Sequence, residues 1–493
     1  MREAARGTGR HWLFAVGVCL LACRASIAGF LPLDDPLGIW LHHGEAAGLL
    51  PLLAPIRPFG MLSGRYALEA TKSDGAPEPG GIPMSLIEAA EKRLDLTLLS
   101  PSTRSGASIE TGGSATVEAL DASGFEQRAG IRMGIEAALL PGLELHEQMS
   151  LWTGSDDLAP SFFPSWHQGS EPGRHLYVDW AFLDFGYRWL ELSFGRKPQQ
   201  WGPGRFTQLM LSDNSPGIDM LWVQYALGDD ASFTGLTGSV DSDSGTWLTA
   251  HRLDMTPWPF LRIGLSEALL YSATGIDLAY TNPFIPWYPV QWNEREDDNA
   301  FLGIDATFRP ADGLLAYGEL LIDDIQYQKA NQYPNKLAWT LGLDGCLRGP
   351  GLGAVLEYTR IDRYVYSQRR ECNYYLHAGR IIGSALGPDC DRLALSVSAT
   401  IARPLLSELR IDHTRHGEGD VYEGWPDSVQ AHQVFPSGVV EHSTGLTLAL
   451  SAYPLDWLQA HASASKRWLR NRDNLSGQSD SELDGSIQLL FAW

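Results

Sequence analysis

The feature that most constrains the fold is alternation with a period of two, in a chain that has no apolar run of ~18 or more residues after its N-terminus. Ile131, Met133, Ile135 and Ala137 share one face of an extended segment, and Arg132, Gly134 and Glu136 the other. A Leu140-Pro141-Gly142 turn follows. Leu143, Leu145, Met149 and Leu151 then alternate with Glu144, His146, Gln148 and Ser150, and Glu147 interrupts the apolar face once. Ala338 to Cys346 and Leu352 to Tyr366 repeat the unit around Gly349-Pro350-Gly351. Leu446, Leu448, Leu450 and Ala452 line a third unit, which turns at Tyr453-Pro454-Leu455-Asp456. Beyond it Leu458, Ala460, Ala462 and Ala464 oppose Gln459, His461, Ser463 and Ser465. Half-apolar hairpins with short turns at one end and long polar loops at the other predict an all-β membrane protein, a large antiparallel barrel of the outer-membrane type. A closed barrel leaves no backbone edge unpaired in lipid, so it needs no apolar helix.

The two ends of the chain fit that reading. Residues 1–28 read as a signal peptide: Arg2, Arg6 and Arg10 precede an apolar Trp12 to Ala22, and Ser26-Ile27-Ala28 offers small residues before Gly29. A rival reading makes Leu20-Leu21-Ala22-Cys23 a lipidation site, against which Arg24 and the S-I-A site both weigh. Ile487, Leu489, Phe491 and Trp493 share a face at the other end, as in a final lipid-facing strand with an interfacial aromatic. Trp and Tyr number 17 each, which suits rings placed at membrane interfaces. Between the ends we expect a helical, periplasmic-side segment over 29–100 and the barrel over 101–493. Helical spacing occurs in Asp35 to Leu53 (Leu37, Trp40, Leu41, Leu49) and in Pro83 to Leu96 (Leu86, Ile87, Ala90, Leu94).

The net charge is −22 and becomes −25 without residues 1–28, where Arg2, Arg6, Arg10 and Arg24 face only Glu3. That balance excludes nucleic acid as a natural partner. Cys346, Cys372 and Cys390 are too few for a disulfide scaffold; Cys372 and Cys390 flank one segment and either pair or stay free. No catalytic motif, metal spacing or cofactor loop is present. Asp241-Ser242-Asp243-Ser244-Gly245 begins like a calcium loop, but its twelfth position is Arg252 rather than a bidentate Glu. His42 and His43 diverge on their expected helix.

Aromatic clusters beside carboxylates and amides are the more informative feature. Rings stack on the C–H face of a pyranose, and polar groups bind its hydroxyls. Ser161 to His167 reads S-F-F-P-S-W-H, Pro283 to Trp292 reads P-F-I-P-W-Y-P-V-Q-W, and the acidic run Glu294, Glu296, Asp297, Asp298 follows. The candidates for binding polysaccharide are therefore Trp166, Trp287, Tyr288, Trp292, Asp297, Asp298 and Asn299. Two other functions stay open: a porin-like channel lined by Glu144, His146, Gln148, Gln459, His461 and Ser463, and a hydrolase using the acids from Glu294 to Asp298.

One further stretch, Gly195 to Gly217, reads G-R-K-P-Q-Q-W-G-P-G-R-F-T-Q-L-M-L-S-D-N-S-P-G. It predicts a strand ending at Lys197, a tight corner at Trp201-Gly202-Pro203-Gly204, extension over Thr207 to Leu211, and a second break at Asp213 to Gly217. Gln200, Trp201, Gly202, Pro203, Gly204, Ser212, Asn214 and Pro216 resemble the signature of the Wzi capsule-assembly family. Further matches come in order: Glu267 to Pro289, Asp298-Asn299 with Phe301 to Asp305, Tyr317 to Asp324, and Tyr375 to Asp391 with His377, Gly379, Gly383, Gly387, Pro388 and Asp389. Leu31 to Pro36 and Arg57-Pro58 fit as well. Asp213 departs from the pattern by placing a charge where an amide is usual. The resemblance implies an outer-membrane barrel of about eighteen strands with a periplasmic-side helical element. It also implies a surface lectin holding capsular polysaccharide, with lipid and the barrel-assembly machinery as partners. It assigns no sugar site.

Overall fold

The computed structural model of the protein describes residues 45–46, 52, 55–57, 108–120, 126–140, 142–153, 174–187, 189–241, 245–282, 285–294, 298–325, 334–347, 352–402, 405–424, 434–455 and 458–492. In chain order its strands are β1 (Ile56–Arg57), β2 (Ser108–Leu120), β3 (Glu126–Leu140), β4 (Leu143–Thr153), β5 (Arg174–Tyr187), β6 (Leu190–Lys197), β7 (Gln200–Trp201), β8 (Ile218–Ala226), β9 (Ala231–Asp241), β10 (Thr246–Trp258) and β11 (Leu261–Ser272). Helix α1 (Trp287–Glu294) precedes β12 (Asn299–Ala311), β13 (Leu314–Asp324), β14 (Lys336–Leu347) and β15 (Leu352–Ile361). Then come β16 (Leu376–His377), β17 (Arg380–Ile381), β18 (Cys390–Ala402), β19 (Leu405–His416), β20 (Glu441–Leu455), β21 (Leu458–Arg470) and β22 (Ser479–Ala492).

Among the described residues eighteen strands form one closed antiparallel barrel; only β1, β7, β16 and β17 stand outside it. Each wall strand pairs with the next along the chain, and β22 returns to β2, from Gly112 opposite Ala492 to Leu120 opposite Asp484. One rim carries the short turns, at 227–230, 259–260 and 312–313. The other carries the long connections 198–217, 273–298, 362–389 and 417–440. In barrels of this class the short turns face the periplasm.

The alternation of the sequence is the alternation of the wall. Leu176, Phe194, Leu221, Leu341, Leu395, Ile411 and Ile487 point outward and are exposed, whereas Arg252, Asp254, Thr340 and Glu357 are buried inside. This inverts a water-soluble core and gives lipid an apolar surface. Aromatics ring the short-turn rim: Trp189 lies 6.3 Å from Tyr225, Trp258 6.0 Å from Phe260, and Phe260 6.0 Å from Phe308. Near the long-loop rim Trp339 packs 5.1 Å from Tyr358.

Three sequence expectations need correction or placement. The strand begun at Leu352 ends at Ile361 instead of Tyr366, because Tyr364 and Tyr366 take positive φ (70° and 72°) and turn the chain inward. Thr207 to Leu211 adds nothing to the wall: only Leu211 makes a single bridge, to Trp201, and the segment lies inside the barrel. Of the two expected N-terminal helices only Glu45 and Ala46 are described as helical. Leu52 is described and is not helical; the rest of both, residues 1–28 and Trp493 lie outside the described residues. Cys346, Cys372 and Cys390 are all free.

Candidate functional site

The two long connections 198–217 and 362–389 fold into the barrel and meet there. After Lys197 the chain makes β7, which pairs with β1 (Ile56 opposite Trp201). The Trp201 N–H donates to the Leu211 carbonyl at 2.9 Å, and the Gly202 N–H to that of Pro55 at 2.9 Å. Gly202 has φ +123°, and a Cβ there would lie 2.5 Å from the Glu319 carboxylate. A Cβ on Gly204 would lie 1.8 Å from the Thr207 carbonyl oxygen. Both positions exclude a side chain.

So tight a corner leaves N–H groups without ladder partners, and wall carboxylates supply them. Glu357 on β15 accepts the N–H groups of Arg205 (2.6 Å) and Phe206 (3.2 Å) and the Tyr317 hydroxyl (2.9 Å). Glu319 on β13 accepts the Leu209 N–H at 3.2 Å. The Arg205 guanidinium pairs with Asp344 at 3.1 Å and approaches Glu45 at 3.8 Å. Burial, with Arg205 nearby, lowers the Arg57 guanidinium to about 10, still protonated at neutral pH.

The second connection locks onto the first. The Tyr366 hydroxyl donates to the Leu209 carbonyl at 2.6 Å and that of Tyr375 to Met210 at 3.0 Å. The Asn214 amide donates to Ile381 O at 2.9 Å, and Ser212 donates to Gly383 O through its hydroxyl and to Ile382 O through its N–H at 2.9 Å. Lys336 on β14 donates to Ser367 O at 3.0 Å and pairs with Asp323 at 2.6 Å. His377 hydrogen-bonds Val240 O at 2.6 Å, and burial lowers its pKa. Burial likewise raises the pKa of Tyr366 and Tyr375. Trp201, Leu209, Met210, Leu211, Val365, Tyr366, Tyr375 and Ile382 form one apolar core with inward residues of the wall.

Two of the matching stretches, Gly195 to Gly217 and Tyr375 to Asp391, are therefore parts of one plug, and Tyr317 to Asp324 lies in its seat. Gln200 donates to Gln208 at 2.6 Å within the plug, and Pro203 and Pro216 are buried. The departure at Asp213 is an exposed residue.

Above the plug, 362–389, 417–424 and 434–440 build the long-loop rim. Asp389 accepts the N–H groups of Gly419 and Ser437, each at 3.0 Å. Arg363 grips Glu423 through two hydrogen bonds, 2.9 and 2.6 Å, and Ser437 Oγ at 3.0 Å. Tyr374 meets Tyr422 edge-on at 6.1 Å. Tyr422, Arg369, Arg370 and Glu371 are exposed.

The predicted sugar-binding residues divide. Tyr288 is exposed at the start of α1. Asp298 is half-buried and accepts the Tyr280 hydroxyl at 2.8 Å. Trp287 is 1% exposed; its ring centroid lies 4.0 Å from that of His251, and its indole N–H donates to Asn282 O. Glu267 accepts the Trp287 and Tyr288 N–H groups at 2.9 and 2.7 Å, a carboxylate at a helix N-terminus. Asn299 is buried and donates to Asn373 O at 2.9 Å. Trp166, Asp297 and the Trp292 side chain lie outside the described residues. Sequence reasoning passed over Tyr422, Tyr374 and the Arg363–Glu423 clamp, whose residues follow no alternation; the aromatic run Tyr364 to Tyr375 was the available signal.

A family model described as capsule assembly protein Wzi matches residues 146–481. Among solved structures, the chain is similar to Wzi of Escherichia coli, an outer membrane protein involved in group 1 capsule assembly and a carbohydrate-binding β-barrel. The TM-score is 0.67 at 15% identity, over 94% of this chain and 99% of that one. Acinetobacter baumannii OccAB2 aligns at TM-score 0.49 and 10% identity, over 79% of this chain and 98% of that one. Pseudomonas aeruginosa OccK5 aligns at 0.47 and 9%, over 78% and 98%. No curated protein matches by sequence.

Proposed function

The chain belongs to the Wzi capsule-assembly family, and from that premise we propose that it is a non-enzymatic outer-membrane barrel whose long-loop rim binds surface polysaccharide. The observation that carries this reading is the seated plug: a lumen packed with two interlocked connections leaves the rim as the surface where a long polymer meets the protein. The rim offers what a saccharide requires. Tyr422 and Tyr288 present exposed rings for stacking, and Arg369, Arg370 and Glu371 present donors and acceptors for hydroxyls or carboxylates. Asp298 and Asn299 hold the loop ends through Tyr280 and Asn373. The likeness to a carbohydrate-binding barrel supports the same assignment.

The capsule or O-polysaccharide of the host should co-sediment with the purified protein. A Tyr422→Ala, Tyr288→Ala double variant should weaken that binding roughly tenfold with strand content unchanged. Absence of binding to either host polysaccharide overturns the reading. A pore is the second reading, favoured by the polar, half-buried inner row His461, Ser463 and Ser465. A steady open current in planar bilayers would establish it.

A further inference from the structure

The outer wall changes character row by row toward the long-loop rim. Across β15, β18, β19, β20 and β21 one row of register partners reads Leu356, Leu395, Ile411, Leu446 and Lys466. The next reads Tyr358, Leu393, His413, Thr444 and Trp468, and the next Arg360, Asp391, Arg415, His442 and Arg470. Leu356, Leu395, Ile411 and Leu446 are exposed, and residues two apart on a strand share a face. All three rows therefore look outward. From Leu446 to Leu455 the wall spans roughly 23 Å of the membrane normal at a tilt of about 40°, close to the ~25 Å apolar band of such barrels. The cationic row lies just beyond that band.

Acids satisfy part of this charge. Arg415 holds Asp391 side-on, with one hydrogen bond at 2.9 Å, and Asp391 also accepts the Tyr358 hydroxyl at 2.8 Å. Arg360 bonds Asp362 at 3.0 Å and lies 3.7 Å above the Phe435 ring. Arg470 and Lys466 have no acidic partner among the described residues; Lys466 donates to Ser481 at 2.8 Å. Four cations thus face two acids, on a chain whose net charge is −22. Arg415 and Arg470 stand two strands apart, about 10 Å, with His442 between them.

We infer that this outward row is a docking site for the phosphorylated headgroup of a lipid in the surrounding leaflet. Its acyl chains lie on Leu446, Leu448, Leu409 and Ile411, Trp468 sits at headgroup level, and Arg470, Lys466 and Arg415 ligate phosphate. The occupant is a lipid rather than a free anion because the row has no outer wall to enclose an ion, and it adjoins the apolar surface that holds acyl chains. The inference rests on the barrel spanning a membrane and is independent of saccharide binding.

The test is titration of the detergent-solubilised, full-length protein with bisphosphorylated lipid A and with its dephosphorylated counterpart, reading bound lipid by native mass spectrometry. The wild type should prefer the phosphorylated lipid by tenfold or more, and the Lys466→Gln, Arg470→Gln double variant should lose roughly tenfold of that binding. Arg472→Gln should keep it, since Arg472 bonds Asp480 and Glu482. Circular dichroism should show equal strand content in all three. Equal binding of the two lipids, or an undiminished double variant, would overturn the site. So would competition by inorganic phosphate as strong as by the lipid. Failure to insert into vesicles would overturn the membrane reading itself, whereas insertion with equal lipid binding overturns the docking site alone.

Discussion

On β10, β12, β13 and β15 the inward side chains include Arg252, Asp254, Asp305, Glu319 and Glu357, each less than a tenth exposed. On β21 and β22 they include His461, Ser463, Ser465, Asp484 and Ser486, all half-buried. Outside, both regions show lipid the same leucines and isoleucines. The difference lies in what each inner face touches. Against the plug, water is excluded, so every charge needs a partner: Arg252 pairs with both Asp254 and Asp305, and Arg262 with Asp254 at 3.3 Å. Away from the plug, hydroxyl pairs such as Ser463 and Ser486 at 2.7 Å suffice. Half of the barrel is thus held like a protein interior, while the other half remains a wall.

That contrast is open to experiment. Glu357→Ala removes the acceptor for two backbone N–H groups and one hydroxyl, and it should cost about 3–5 kcal/mol in denaturant unfolding. Ser463→Ala should cost less than about 1 kcal/mol; equal losses would erase the distinction. Gly204→Ala forces a Cβ against the Thr207 carbonyl, and about 1–3 kcal/mol should be lost. Gly485→Ala meets nothing nearer than 3.7 Å and should stay within about 0.5 kcal/mol of wild type. Protease cutting within 198–217 should rise in the first glycine variant and not in the second. The smallest effect concerns pH. Burial holds His377 below its ordinary pKa of 6.5. Its contribution to stability is therefore complete above pH ~6.5 and lost as pH falls through its folded value. Protection of the amides in 376–389, corrected for the intrinsic pH dependence of exchange, should fall between pH 7.5 and 5, while that of β22, which holds no histidine, stays unchanged. His377→Asn should flatten the response.

The wall was legible because its rule is local. Leu143 to Leu151 announces a strand through neighbours two residues apart, and the structure places that strand at Leu143–Thr153. The plug was not legible, because its rule is remote. Arg205 meets Glu357 across 152 residues, and Leu209 meets Glu319 across 110. Thr207 to Leu211 accordingly read only as resumed extension, with no sign that wall carboxylates hold it inside the barrel. The Trp201 to Gly204 corner was visible as strain, but its purpose required Glu319 and Glu357. Among the rim residues, Tyr288 could be found from an aromatic cluster, whereas Tyr422 depends on a loop anchored by Asp389.

The pairing of β2 with β22 sets an order of events. Every other seam in the wall joins strands that follow one another along the chain, so those hairpins can zip as they arrive. The last seam must bring Gly112 to Ala492, the longest loop closure in the molecule and the one with the largest closure entropy. Until it forms, the sheet is an open ribbon with two bare edges, and both connections of the plug can be laid against their seats from the side.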